Sequence, residues 1–110
     1  MPMAKLEKTL NGNFAEILKK VEESVLDGSV SASLEDSCDW ITANARCSVR
    51  VFERYSCMGG NRVSMSVTLF QVDNGPVKLC AITSGGSQAV FFKVIPWGEE
   101  SFLETLAKIL

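Results

Sequence analysis

Arginine is the residue type whose spacing in this sequence most clearly suggests chemistry. All four arginines, Arg46, Arg50, Arg54 and Arg62, fall within 17 residues, and Glu53 is the only acidic residue among them. A guanidinium presents a planar fork of donors that suits a carboxylate or a phosphate. The cluster therefore predicts an anion site, or a surface that meets a partner's carboxylates. The alternative is a set of ordinary polar residues on a solvated strand.

Acidic residues precede the arginines, because no Lys or Arg occurs between residues 21 and 45. This stretch could pair with the arginines of a second copy, or it could be a solvated helix end and loop. Its acidic residues are Glu22, Glu23, Asp27, Glu35, Asp36 and Asp39.

Two glycine pairs lie in predicted strand connections near the arginines, at Gly59-Gly60 and Gly85-Gly86. Successive backbone N–H groups in such turns can form an anion-binding nest, because glycine accepts positive φ at little cost. Neither pair has the spacing of a dinucleotide fingerprint or a P-loop. Plain turn chemistry is therefore the competing interpretation.

Cysteine offers the one route to covalent catalysis that the sequence suggests. The chain has no histidine and no Cys-x-x-Cys pair among Cys38, Cys47, Cys57 and Cys80, so we expect free thiols, no metal site and no cofactor. Cys57 adjoins a glycine turn, and a neighbouring arginine could lower its pKa. A base would have to be an acidic residue such as Glu53 or Glu99, and we lean against an enzyme.

Length and composition define the class of protein. A chain of 110 residues that is 46% hydrophobic and 22% charged is typical of a single globular domain, here residues 1–110. The net charge of −2 argues against a nucleic-acid binder. No segment has the length of apolar residues that a bilayer requires, and the charged N-terminus lacks a signal-peptide core. We therefore expect a cytoplasmic protein that does not interact with membranes.

The first half of the chain has the clearest secondary-structure pattern. Alternation over residues 4–10 predicts a strand, and Asn11-Gly12 ends it. Asn13 and Glu16 have capping-box spacing, and Gly28 is placed to stop a helix. The helix is predicted over 14–27, with its apolar residues at Phe14, Ile17, Leu18, Val21, Val25 and Leu26.

A period of two dominates the rest of the chain. It predicts strands at 30–35, 46–56, 62–72, 77–83 and 88–95, a loop at 36–45, and a final helix from Glu99. Within the loop we expect Trp40 and Ile41 to point inward. By strand parity, Arg46, Arg50 and Arg54 should share the face away from the helices.

These elements predict an α+β fold with two layers, in the order β-α-β(4–5)-α. Two helices would cover one face of a curved antiparallel sheet. In outline this resembles the helix-grip and TATA-box-binding-protein-like folds, which imply no function by themselves.

Several segments together resemble a known family. They are Glu53-Arg54-Tyr55-Ser56, Gly59-Gly60-Asn61-Arg62-Val63-Ser64, Ala81-Ile82-Thr83-Ser84-Gly85-Gly86-Ser87-Gln88-Ala89, Phe91-Phe92-Lys93 and Gly98-Glu99-Glu100-Ser101-Phe102-Leu103. The chain is similar over nearly its whole length to a small family of uncharacterised bacterial proteins, common in anaerobic Gram-positive species and classed as a domain of unknown function. With the arginine pattern, this resemblance gives the candidate ligand- or partner-binding residues Arg50, Arg54, Asn61, Arg62, Ser84, Gly85, Gly86, Ser87 and Lys93.

Three hypotheses follow for the function. The first is a non-enzymatic binding module that self-associates as a dimer. A small domain with helices on one side leaves one sheet face exposed, and we expect that face to bear the arginines together with Phe52 and Phe70. The second is a small anionic-ligand binder with a cleft between the sheet and the C-terminal helix, near Trp97. The third is a thiol-dependent enzyme that uses Cys57.

Overall fold

A computed structural model describes residues 3–27, 31–55 and 62–85, which form five strands and one helix. The α+β class is therefore confirmed. In chain order the elements are β1 (Met3–Leu10), α1 (Phe14–Asp27), β2 (Ser33–Ile41), β3 (Ala45–Tyr55), β4 (Arg62–Val72) and β5 (Val77–Gly85).

The five strands form one antiparallel sheet in the order β1-β5-β4-β3-β2. Because β1 and β2 lie at opposite edges, α1 must cross one face of the sheet to join them. We call this the helix-covered face, and the other the outer face. We call the end where Leu10 pairs with Val77 the hairpin end, and the end where Val63 pairs with Gly85 the glycine end.

The hydrophobic core lies between α1 and the helix-covered face. Val21 and Val25 of α1 are fully buried, as are Phe52, Met65 and Leu69 of the central strands. Burying each such side chain contributes about 1.5–3 kcal/mol. The rest of the core consists of Phe14, Val63, Val67, Val77, Leu79 and Ala81.

Helix α1 forms where the apolar spacing and the cap predicted it. The Oδ1 atom of Asn13 accepts a hydrogen bond from the backbone N–H of Glu16 at 2.9 Å, which satisfies one of the unpaired donors of the first turn. The predicted bounds, 14–27, are confirmed. The predicted stop at Gly28 lies outside the described residues.

The predicted loop at 36–45 is wrong, because β2 extends through this region to Ile41. The strand pairs with β3 along its length, with a register shift between Leu34 and Asp36. Trp40 and Ile41 do not point inward, and both are largely exposed. An edge strand with all nine residues exposed needs no apolar alternation, so its polar sequence resembles a loop.

The predicted orientation of the β3 arginines is also wrong. Phe52 pairs with Met65, and cross-strand partners share a face, so the even positions of β3 lie beneath α1. Arg50 and Arg54 are buried there, each only 8% exposed. The odd positions, including Val49 and Val51, face outward. Their apolar side chains made the odd positions resemble the buried face of the strand.

Two predicted elements, the strand at 88–95 and the second helix from Glu99, lie outside the described residues, as do Cys57 and the proposed cleft near Trp97. No helix within residues 3–27, 31–55 or 62–85 is long and apolar enough to cross a membrane.

The face assignment can be tested with two aromatic residues of β3. Replacing Phe52 with Ala should lower the free energy of unfolding by about 3–5 kcal/mol, because the side chain lies in the core. Tyr55→Ala is the matched control on the outer face, and its effect should stay under about 1 kcal/mol. Urea denaturation measures both variants. Equal losses, or a larger loss for Tyr55→Ala, would contradict the face assignment.

Candidate functional site

Arg50 is the centre of a charged network that joins three elements. Its Nε donates to Oε2 of Glu22 on α1 at 2.6 Å. Its two terminal nitrogens face the two carboxylate oxygens of Asp39 on β2, at 3.0 and 3.2 Å. This two-point pairing of guanidinium and carboxylate is stronger than a single hydrogen bond. Arg50 therefore links α1, its own strand β3 and the edge strand β2.

The carboxylate of Asp39 is held in its charged form by two neighbours. A hydrogen bond from the Ser48 hydroxyl and a second from Arg50 lower the pKa of Asp39 below its ordinary value. Desolvation lowers the pKa of Arg50, but its hydrogen bonds to Glu22 and Asp39 outweigh that effect and raise the pKa overall. Each of these two groups therefore stabilises the charged form of the other.

The network leaves little of Arg50 for a ligand. Besides the two carboxylates, its Nη1 also donates to the carbonyl oxygen of Val49 at 3.0 Å. A ligand at this position would have to displace Glu22 or Asp39. Both carboxylates belong to the acidic stretch that we considered as a partner for a second copy, and within this chain they pair with Arg50 instead. Their role is to position α1 and β2.

A second polar cluster lies on the outer face at the glycine end. Arg62 forms an ion pair with Glu53, which also accepts a hydrogen bond from the Ser64 hydroxyl at 3.1 Å. The guanidinium carbon of Arg62 lies 5.5 Å from the ring centroid of Tyr55. The side chain of Arg62 is 54% exposed, so this is a surface cluster.

The glycine end brings together several of the predicted site residues. Ser84 pairs with Ser64, and Gly85 pairs with Val63 beside Arg62, while Arg54 lies at the same end on the other face. Four further candidates, Asn61, Gly86, Ser87 and Lys93, lie outside the described residues.

Gly85 is required by the close approach of two strands. A Cβ atom at this position would lie 2.7 Å from the carbonyl oxygen of Arg62, which is too close for any other residue without a backbone shift. The glycine therefore allows β4 and β5 to meet. This contact accounts for Gly85 without an anion-binding turn.

The network around Arg50 was not predicted from the sequence, because its members are far apart in the chain. Glu22 lies 28 residues before Arg50. The available signal was the acidic stretch that directly precedes the arginines, which indicates opposite charges but not their pairing.

Among the described residues, no group of three or more His, Cys, Asp or Glu side chains could hold a metal ion.

Comparison with known families decides the relationship of the chain. The profile of a family of unknown function, DUF6054, matches residues 3–110. The chain belongs to this family. The predicted resemblance to a domain of unknown function is therefore confirmed, and DUF6054 membership assigns no activity. A search of curated proteins finds no match for this DUF6054 chain.

Solved structures show a similar fold. The DUF6054 chain resembles the crystal structure of a hypothetical protein from Helicobacter pylori, with a TM-score of 0.52 and 11% sequence identity. The match covers 99% of this chain and 88% of the other. At this identity the likeness concerns the fold alone.

Removing one carboxylate should show the contribution of the network. Glu22→Ala should lower the free energy of unfolding by about 1–3 kcal/mol, because it removes a hydrogen bond to a buried charge. Glu23→Ala is the matched control, since the neighbouring side chain is exposed, and it should change stability by less than about 0.5 kcal/mol. Urea denaturation at neutral pH measures both, and equal effects would contradict the assigned role of Glu22.

Lowering the pH should weaken the network, because it protonates Asp39. Because the pKa of Asp39 is lower in the folded state, Asp39 stabilises the fold above the unfolded pKa, near the ordinary value of 3.8, and this stabilisation is lost as pH falls through the folded pKa. Ser48→Ala should raise the pKa of Asp39 by removing its largest hydrogen-bond contribution. Carboxyl chemical shifts followed by NMR across the acid range measure the midpoint. The same midpoint in both proteins would contradict the role of Ser48.

Proposed function

We propose that this protein is a non-enzymatic binding module that self-associates through the outer face of its sheet. The observation that supports the proposal is a set of large apolar side chains exposed on that face. They are Trp40 (65% exposed), Tyr55 (54%), Val72 (45%), Phe70 (43%) and Ile82 (41%). A group of exposed apolar side chains on one face is typical of a protein–protein contact surface. This support is independent of the buried arginines.

The outer face is self-complementary in charge along one row of paired residues. Across the sheet from β2 to β1, the row is Asp36, Val51, Ser66, Ile82 and Lys5. A two-fold axis parallel to the strands, over the central strand β4, would place Asp36 above Lys5 of a second copy. It would also place Val51 above Ile82. Such an isologous contact forms the Asp36–Lys5 ion pair twice and the Val51–Ile82 contact twice.

A second row supports the same arrangement. It contains Trp40, Cys47, Phe70, Lys78 and Thr9 in the same order across the sheet. The two-fold axis would bring the two Phe70 rings together and place Trp40 above Thr9 of the second copy. Thr9, Phe70 and Lys78 line a hollow of about 250 Å³, which offers space for the indole ring. A projecting aromatic residue in a hollow is a common form of interface anchor.

The size of the outer face is sufficient for a stable dimer. Five strands spaced about 4.8 Å apart span about 24 Å, and the 11 residues of β4 span about 35 Å. The resulting area, on the order of 800 Å², is what each partner of a standard interface buries.

We also place the module in the cytoplasm. Three cysteines, Cys38, Cys47 and Cys80, are free thiols in this structure, and they would stay reduced there.

Charge reversal tests the proposed register. Lys5→Glu should weaken the dimer about ten-fold, because it replaces two attractive pairs with two repulsive ones. Asp36→Lys should do the same, and the double variant should restore dimerisation by exchanging the two charges. Sedimentation equilibrium measures the dissociation constant of each protein.

The control variant is Lys19→Glu, which reverses an exposed charge on the opposite side of the molecule and should leave the dimer unchanged. Phe70→Arg should abolish the dimer, because it would place two cations at the two-fold axis. A wild-type protein that stays monomeric at all concentrations would overturn the proposal. A dimer unaffected by Phe70→Arg would show that the outer face is not the interface.

A further inference from the structure

Arg46 lies on the helix-covered face at the hairpin end, at the start of β3. Its guanidinium carbon stacks over the Phe14 ring, 4.2 Å from the centroid. Its Nε atom is buried and has no hydrogen-bond partner, and the guanidinium forms no ion pair with any carboxylate in the described part of the chain. Asp39 and Asp73 lie near enough to influence this charge but do not contact it, and a half-buried cation that lacks a direct partner is costly unless a ligand or solvent supplies one.

Two cavities flank this side chain. The first, of about 370 Å³, is lined by Gly12, Asn13, Phe14, Arg46, Gln71, Asp73 and Asn74. The second, of about 250 Å³, lies towards the β2–β3 turn and shares Arg46, Asp73 and Asn74 with the first. Both are within or near the volume range of small-ligand pockets.

We call the two cavities together the cleft. Its walls are joined to one another by hydrogen bonds. The N–H of Asp73 donates to the carbonyl oxygen of Asn44 at 2.7 Å, which joins the β4–β5 turn to the β2–β3 turn. The Nε2 of Gln71 donates to the carbonyl oxygen of Gly75 at 2.8 Å. Asp73 has a φ of 53°, which fixes the sharp turn. The cleft is therefore preformed, which reduces the entropy that binding must overcome.

We propose that this cleft binds a small monocarboxylate that also has an amide or hydroxyl group. The carboxylate would meet the guanidinium of Arg46, whose planar fork matches it. The side-chain amides of Asn13, Gln71 and Asn74 would bind the second polar group. The Oδ1 of Asn13 already caps α1, so recognition of the charge depends on Arg46 and not on the helix terminus.

The charges in the cleft favour a monoanion over a dianion. Among the described residues that line the two cavities, Arg46 is the single cation, and Asp73 is an exposed carboxylate beside it. A dianionic phosphate would be repelled by Asp73 with only one guanidinium to balance it. The outer face does not contribute to this cleft, so the site is independent of the proposed dimer.

The experiment is an NMR titration of the ¹⁵N-labelled protein at constant ionic strength with N-acetylglycine, a monocarboxylate with one amide. We expect saturable shifts at the amides of Gly12, Asn13 and Asn74. N-acetylglycinamide, which has the same size but no charge, and inorganic phosphate should each bind at least about ten-fold more weakly. Arg46→Gln should weaken N-acetylglycine by the same factor.

The matched control is Lys19→Gln, which removes an equal charge from an exposed position of α1 outside the cleft and should leave the affinity unchanged. Should Arg46→Gln fail to give a folded spectrum, Asn74→Ala at the exposed rim should still weaken binding several-fold. The proposal is overturned if the wild-type protein shows no saturable shift, or if N-acetylglycinamide or phosphate binds as well. Unchanged affinity in the folded Arg46→Gln protein would overturn it too.

Discussion

The pairing of the buried Arg50 guanidinium with two carboxylates is the interaction that aligns the layers of the fold. A buried charge needs opposite charges next to it. Arg50 lies beneath α1 on the central part of the sheet, where a lone charge would be strongly unfavourable. Glu22 from the helix and Asp39 from the edge strand supply the two negative charges. These two ion pairs tie α1 and β2 to β3. Hydrophobic burial holds the layers together, and the ion pairs set how they align.

The burial of two arginines beneath α1 also determines the charge of the outer face. With Arg50 and Arg54 buried on the helix side, the outer face keeps Arg62 as its described arginine, and Glu53 neutralises it. What remains there is a mixture of apolar and hydroxyl side chains with few charges, and Lys5 and Asp36 lie at opposite edges of one row. Such a surface fits the proposed self-association better than it fits an anionic ligand. The helix side and the outer side therefore have different chemistry for one shared reason.

The local features of the fold could be predicted from the sequence, and the long-range ones could not. Asn13 and the apolar spacing after it defined α1, since capping and amphipathicity act within a few residues. The facing of β3 depended on its pairing with β4 across a turn, because both of its parities contain apolar residues such as Val51 and Phe52. The pairing of Glu22 with Arg50 depended on how α1 crosses the sheet, which no local pattern encodes.

Arg46 and Arg50 show how the helix determines what each arginine can do. The two residues are four apart on one strand face, which is about 13 Å along an extended strand. Phe14 and Glu22 are eight apart on α1, which is about 12 Å along a helix. The helix and strand therefore stay in step, with Phe14 over Arg46 and Glu22 over Arg50. A carboxylate of α1 contacts Arg50 and closes it to ligands, whereas an aromatic ring of α1 contacts Arg46 and leaves it without a direct ion pair. Since the same helix sets both contacts, the site at Arg46 and the anchor at Arg50 are two results of one packing arrangement.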